Sequence, residues 1–182
     1  QEKGNVSCFV PIQKGCDNWC SFCVVPAARG PEATRPLDEI LDECRRFLAA
    51  GARELFLLGQ NVNSVRLPGG FAGLLERVAA LDGVLRVRFT TSHPRDCSPE
   101  LARVMGGVPA VMPWLHLPVQ SGSTRILQDM NRGYTREHYL DLVDRFRREV
   151  PDIAFTTDVI VGFPGETEAD FEDTLEACAA LG

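Results

Sequence analysis

The sequence has no apolar run long enough to cross a bilayer. Its longest, such as Leu55-Phe56-Leu57-Leu58, fall far short of the roughly 20 residues a spanning helix needs. It also lacks a secretory leader, since the first fifteen residues carry no apolar h-region. These absences make the cytosol the expected compartment, with no membrane contact. Positive charge is scarce: 19 Lys+Arg against 25 Asp+Glu give a formal net charge of −6. That is the wrong sign for a domain gripping nucleic acid mainly by neutralising phosphates, so any such substrate must be held locally or by other segments. The 16 Gly and 12 Pro show no period and 45% of residues are hydrophobic, which excludes collagen-like and low-complexity sequence. The 7 cysteines are an odd number, against a fully paired disulfide scaffold.

The 182 residues suffice for one sizeable core and are few for two. Along them a strand-then-helix pattern repeats. The apolar run 7–12 is followed by a polar, Gly-rich loop and then by a helical pattern over 37–50. Its apolar face is Ile40, Leu41, Cys44, Phe47 and Leu48, punctuated by Pro36 before and Gly51 after. A buried strand at 54–58 precedes a helix carrying Phe71, Leu74, Leu75 and Val78. A β-rich run at 86–91 precedes a helix opened by Ser98-Pro99-Glu100. A fourth strand at 114–117 precedes two helical pieces, the longer over 136–149 and ended by Pro151. The β-rich run 153–161 then leads to a helix opened by the capping box Thr167 to Asp170.

Five successive β/α units predict a parallel sheet with right-handed crossover helices, most economically a barrel or partial barrel, with a doubly wound sheet as the alternative. In both, ligands gather at the carboxyl ends of the strands. The segments to interrogate are the cysteine loop, Gly59-Gln60-Asn61, Thr91-Ser92-His93, Val119-Gln120-Ser121 and 162–166.

The cysteine loop carries the chemistry. Cys16, Cys20 and Cys23 form a C-x3-C-x2-C triplet. Thiolates are the soft ligands an iron–sulfur cluster requires, and three of them on four irons leave one iron open to chemistry. Structural zinc, with Cys8, Cys44 or Cys97 as a fourth ligand, is the alternative, although zinc sites usually draw on two separated ligand pairs. Cys44 lies on the apolar helix face and reads as core, and Cys97 and Cys178 read as core or incidental.

The triplet after a first strand, with Phe22 just before the last cysteine, resembles the radical S-adenosylmethionine (SAM) superfamily. Together with Cys20 to Pro26, Arg29-Gly30, Leu57 to Ser64, Phe89 to Pro94, Leu115 to Ser123 and Val161 to Thr167, the whole chain is similar to the methylthiotransferase family. Gly59-Gln60-Asn61-Val62-Asn63-Ser64 resembles the tRNA-modifying (MiaB) branch rather than the ribosomal-protein-modifying (RimO) branch.

The resemblance implies an α/β fold, a partial (β/α)6 TIM-like barrel truncated here after the fifth β/α unit, with residues 1–182 as the radical SAM core. It implies a [4Fe–4S] cluster on Cys16, Cys20 and Cys23, its open iron chelated by SAM, which an electron cleaves to a 5′-deoxyadenosyl radical. In the MiaB branch the radical attacks C2 of an N6-isopentenyl adenosine beside the tRNA anticodon, where a methylthio group is installed. The family also carries an N-terminal domain with a second cluster, a sixth β/α unit and a C-terminal RNA-binding domain, none of which falls in these residues. A flavodoxin or ferredoxin is the expected electron donor and a monomer the expected state. The same chemistry on a ribosomal protein or another modified adenosine is the rival enzyme reading, and a zinc-stabilised binding module the rival from another class.

For SAM the expected contacts are Gly59, Gln60 and Asn61 toward the amino group and Gln120 and Ser121 toward the ribose or carboxylate. Gly162 and Phe22 are expected beside the adenine, and Arg132 beside the carboxylate. Arg29 and Arg35 are the RNA or substrate candidates. No catalytic side chain is singled out; His93 and His116 are the weaker candidates, and His116, between Leu115 and Leu117, reads as a satisfied interior histidine rather than a ligand.

Overall fold

A computed structural model describes residues 5–181. Strand β1 (Ser7–Pro11) leads into the cysteine loop, which contains a small antiparallel hairpin, β2 (Gln13–Lys14) with β3 (Ala33–Thr34), and a short helix α1 (Val25–Arg29). Helix α2 (Leu37–Ala49) returns the chain to β4 (Glu54–Leu58), α3 (Gly70–Ala79) to β5 (Arg86–Thr90), and α4 (Pro99–Gly107) to β6 (Trp114–His116). Two helices, α5 (Thr124–Asp129) and α6 (Arg136–Glu149), precede β7 (Ala154–Thr156), and α7 (Glu168–Leu181) follows it.

The major strands run parallel and neighbour one another in chain order. Ser7 pairs with Glu54 and Glu54 with Arg86, while Trp114 pairs with Ala154. A parallel bridge between Val87 and Val111 carries the pairing from β5 toward β6. A doubly wound sheet reverses strand order at a switch point. Among the described residues no reversal occurs, so the winding is that of a barrel wall.

Alternation places the core. Cys8 and Val10 of β1, Leu55 and Leu57 of β4, Val87 and Phe89 of β5, and Leu115 of β6 all project to one side of the sheet. There they join Ile40 and Cys44 of α2, Leu74 and Leu75 of α3, Leu101 of α4 and Phe146 of α6 in one buried cluster. Hydroxyl caps start the helices where the sequence expects them: Ser98 Oγ accepts from Leu101 N at 3.3 Å and Thr135 Oγ1 from His138 N at 3.2 Å. The Thr167–Asp170 box opens α7, with Thr167 N donating to Asp170 Oδ2 at 2.9 Å.

The β-rich run 153–161 is only partly a strand. β7 stops at Thr156, because the Thr157 hydroxyl enters the ladder in place of backbone, accepting from Val119 N at 2.9 Å and donating to Leu117 O at 3.0 Å. Pairing resumes at a bridge between Gln120 and Val159. Among the described residues, no helix is long and apolar enough to cross a membrane.

Candidate functional site

The carboxyl ends of β1, β4, β5 and β6 converge with the cysteine loop around a cavity of about 350 Å³. Cys16, Cys20 and Cys23 all line it, and all three are free thiols. Two sets of bonds hold their loop. Its base closes through Cys16 N donating to Gly30 O at 3.3 Å, with Gly15 in the left-handed region at φ 73° beside it. Its far side lies across the turn after α5: Ser21 N donates to Met130 O at 3.1 Å, Ser21 Oγ to Asp129 O at 2.9 Å, and Asn131 Nδ2 to Trp19 O at 3.0 Å. Burial falls from Cys20, which is buried, through Cys16, half-buried, to Cys23, exposed. Desolvation raises the Cys16 thiol above its ordinary pKa, partly offset by a hydrogen bond from the Asn18 backbone.

The three thiols share the lining of this one cavity. Among the described residues no three His, Cys, Asp or Glu side chains are placed to hold a single metal ion. A tetrahedral zinc with bonds near 2.3 Å needs its sulfurs within about 3.8 Å of one another, whereas a four-iron cube accepts a wider ring. Cys44, proposed as a fourth zinc ligand, is fully buried in the core and its thiol is pushed up to about 12, chiefly by burial.

Opposite the thiols lies the turn after β4. The buried Gln13 side chain organises it: Oε1 accepts from Gln60 N at 3.1 Å and from Asn61 N at 3.2 Å. Gly59 makes this possible, since a Cβ there would meet Gln13 Oε1 at 2.7 Å. The Gln60 side chain ties the turn to the cysteine loop, accepting from Gly15 N at 2.7 Å. Asn61 is 2% exposed; its Nδ2 donates to Asp96 Oδ2 at 2.6 Å, which leaves Oδ1 buried without a partner. A buried acceptor left unpaired costs roughly 1–3 kcal/mol, so a ligand bringing a donor is favoured there.

Two more orphaned atoms belong to residues lining the cavity, Ser92 Oγ and His93 Nε2. His93 Nδ1 accepts from Arg95 N at 3.2 Å, so the neutral ring carries its proton on Nε2 and is a donor. Burial, reinforced by Arg132 and Arg95, lowers the His93 pKa from 6.5 to about 2. Native His93 therefore stays neutral where the unfolded chain would protonate it. Its contribution to stability is complete above pH 6.5 and is lost as pH falls toward 2, at up to about 1.4 kcal/mol per pH unit. Denaturant titrations of wild type and His93→Gln between pH 6.5 and 4.5 should show a steeper decline for wild type; identical slopes would contradict it.

Residues 10–178 match the Radical SAM superfamily. The chain belongs to that superfamily. The radical SAM chain is 53% identical over 96% of its length to the tRNA-2-methylthio-N(6)-dimethylallyladenosine synthase of Cereibacter sphaeroides. It is 56% identical over 94% of its length to that of Caldicellulosiruptor saccharolyticus. It spans 40% and 37% of those relatives, so about two fifths of their length. Among solved structures it superposes on the radical SAM methyltransferase TsrM from Kitasatospora setae with a TM-score of 0.76 at 23% identity, covering 95% of this chain and 32% of that one. For coproporphyrinogen III oxidase (HemN) from Escherichia coli the TM-score is 0.66 at 18% identity, covering 96% and 41%. These likenesses show a radical SAM fold, a partial TIM-like barrel.

Of the SAM-contact candidates, the radical SAM cavity is lined by Phe22, Gly59, Gln60, Asn61, Gln120 and Arg132. Ser121 does not line it: it is fully buried, with Oγ bonded to Ser123 N at 3.1 Å and facing Thr174 Oγ1 at 3.3 Å, and serves the packing of α7. Gly162 also lies off the cavity, exposed in a turn folded onto the Glu166 carboxylate. Arg35 is engaged by Pro11 O at 2.6 Å and Glu43 at 2.5 Å, a structural role, while Arg29 is exposed. His116 is half-buried, stacked near Trp114 and 3.0 Å from Thr156 Oγ1. Gln13, Asn18, Ser92, His93 and Pro118 complete the site without having been singled out as ligands. The Thr91-Ser92-His93 strand end was the one sequence signal for two of them.

Proposed function

We propose that the chain is the radical SAM core of a tRNA methylthiotransferase that modifies C2 of N6-isopentenyl adenosine beside the anticodon. One observation carries this reading. Three thiols and a set of unpaired polar atoms share a single cavity at the carboxyl strand ends, in a chain 53–56% identical to curated synthases of that name. Cys16, Cys20 and Cys23 would hold a [4Fe–4S] cluster with one open iron, which SAM would occupy. When bound, cluster and SAM supply an electron and a carbon radical able to break a strong aromatic C–H bond.

The chain's own residues do the rest. Asn61 Oδ1 would accept from the SAM ammonium, and Gln13 fixes the turn so that this oxygen stays in place. Ser92 Oγ and His93 Nε2–H offer donors to a carboxylate or ribose oxygen. Phe22, 40% exposed at the mouth, would cover a flat base and exclude water from the cluster. Gln120, whose φ of 72° is unusual for a residue with a side chain, supplies a further polar contact.

The roughly three fifths of the relatives' length that this chain does not span leave room for a second-cluster domain, a sixth β/α unit and an RNA-binding domain. The protein would work as a cytoplasmic monomer fed by a flavodoxin or ferredoxin. The test combines this chain with its flanking domains, SAM, dithionite and tRNA bearing N6-isopentenyl adenosine under anaerobic conditions. Mass spectrometry should find the methylthio nucleoside; unchanged tRNA, beside methylthiolation of a ribosomal protein offered in a parallel reaction, would overturn the substrate. With a net charge of −6, the 182-residue chain by itself should bind tRNA weakly, and tight, steeply salt-dependent binding would contradict that division of labour.

A further inference from the structure

Arg132 is 5% exposed, yet among the described residues no Asp or Glu oxygen lies within salt-bridge distance of it. Its donors are fixed in three directions. Nε donates to Tyr134 Oη at 3.1 Å, Nη2 to Pro118 O at 3.1 Å and Nη1 to Cys20 Sγ at 3.3 Å. The Tyr134 ring backs the guanidinium, 5.4 Å from its carbon, and Tyr134 Oη is itself held on Val119 O at 2.7 Å. A buried cation facing only neutral groups is costly and needs an anion. Of these partners the Cys20 sulfur is the one that ligating a cluster would make a thiolate, and it is the most deeply buried of the three cysteine sulfurs.

We infer that Arg132 tunes the cluster: its guanidinium donates a charge-assisted hydrogen bond to the Cys20 thiolate and raises the cluster's reduction potential. The inference rests on the cluster reading above. Reduction adds one electron and one negative charge to the cluster and moves no other atom. A fixed positive charge beside one sulfur therefore favours the reduced state, and the N–H···S bond strengthens as the sulfur becomes more electron-rich. The rigid seat on Pro118 and Tyr134 keeps the donor aimed through the change, so little reorganisation accompanies electron entry.

The test is the midpoint potential of the anaerobically reconstituted chain, followed by EPR with dithionite as reductant, in wild type, Arg132→Lys and Arg132→Met, with and without SAM. At a fixed ambient potential the Met variant should show at least a tenfold lower ratio of reduced to oxidised cluster, a shift of about 59 mV for one electron, and the Lys variant a smaller one. The shift should be present without SAM. A potential unchanged without SAM, or altered only when SAM is bound, overturns the inference and assigns Arg132 to the SAM carboxylate instead. A second readout needs no variant: wild type labelled with ¹⁵N-arginine should show nitrogen coupled to the reduced cluster by ENDOR, and absence of that coupling also overturns it. Failure of wild type to take up iron at all would instead remove the cluster reading, a distinguishable result.

Discussion

Cys20→Ala is expected to leave the chain without a cluster and without SAM cleavage, while Cys44→Ala is expected to keep both. After anaerobic reconstitution, wild type should hold about four irons and four sulfides. The Cys20 variant should hold less than a quarter of that and release no 5′-deoxyadenosine. Cys20 is the innermost of the three thiols and the one engaged by Arg132, so its removal takes away a ligand and strands a buried cation together. Cys44 is equally cysteine and fully buried, but it sits on α2 against the sheet with its thiol pushed up to about 12. Its truncation removes only packing, worth about 1 kcal/mol. Retained cleavage in Cys20→Ala would sink the assignment.

The second large effect belongs to Gly15→Ala. A Cβ there would lie 2.1 Å from Pro31 O and 2.5 Å from Gly30 O, against backbone that cannot swing aside as a side chain could. At φ 73° the added methyl also incurs the left-handed penalty of about 1–2 kcal/mol. The cysteine loop must therefore open at its base, where Cys16 N bonds Gly30 O. A loss of about 3 kcal/mol or more in chemical denaturation is expected, with a several-fold drop in cluster uptake. Gly51→Ala is the control: its φ is 105° but nothing lies within 4 Å of the added carbon, so it should lose only about 1 kcal/mol and keep its iron. Equal behaviour of the two variants would show that loop closure does not depend on Gly15.

How much of this was legible in the sequence depended on the length of the signal. The 3.6-residue period of α2 placed Ile40, Leu41, Cys44 and Leu48, all buried, and the half-buried Phe47 on one face, and the buried strand at 54–58 and the β-rich run at 86–91 fall on β4 and β5. Helix α1 and the β2–β3 hairpin escaped because five residues and two-residue strands carry no measurable period. The run 153–161 looked uniformly β-rich, and only the position of the Thr157 hydroxyl opposite Leu117 and Val119 ends the strand early.

The cysteine triplet and Gly59-Gln60-Asn61, singled out from spacing and strand-end position, line one cavity. Ser121, one residue past Gln120, shared that position but turns toward Thr174 of α7, a long-range contact that no local pattern announces. Gln13 acts through 47 residues of sequence separation on the turn at Gln60, and His93 matters because its Nε2 is orphaned by packing. Both facts exist only once the fold is assembled.

The most direct measurement is iron, sulfide and zinc content of the anaerobically reconstituted chain, read beside its visible spectrum and the yield of 5′-deoxyadenosine from SAM with dithionite. About four irons and four sulfides per chain with release of 5′-deoxyadenosine is the expected result. One zinc, no iron and no cleavage would contradict it and make the triplet a structural metal site.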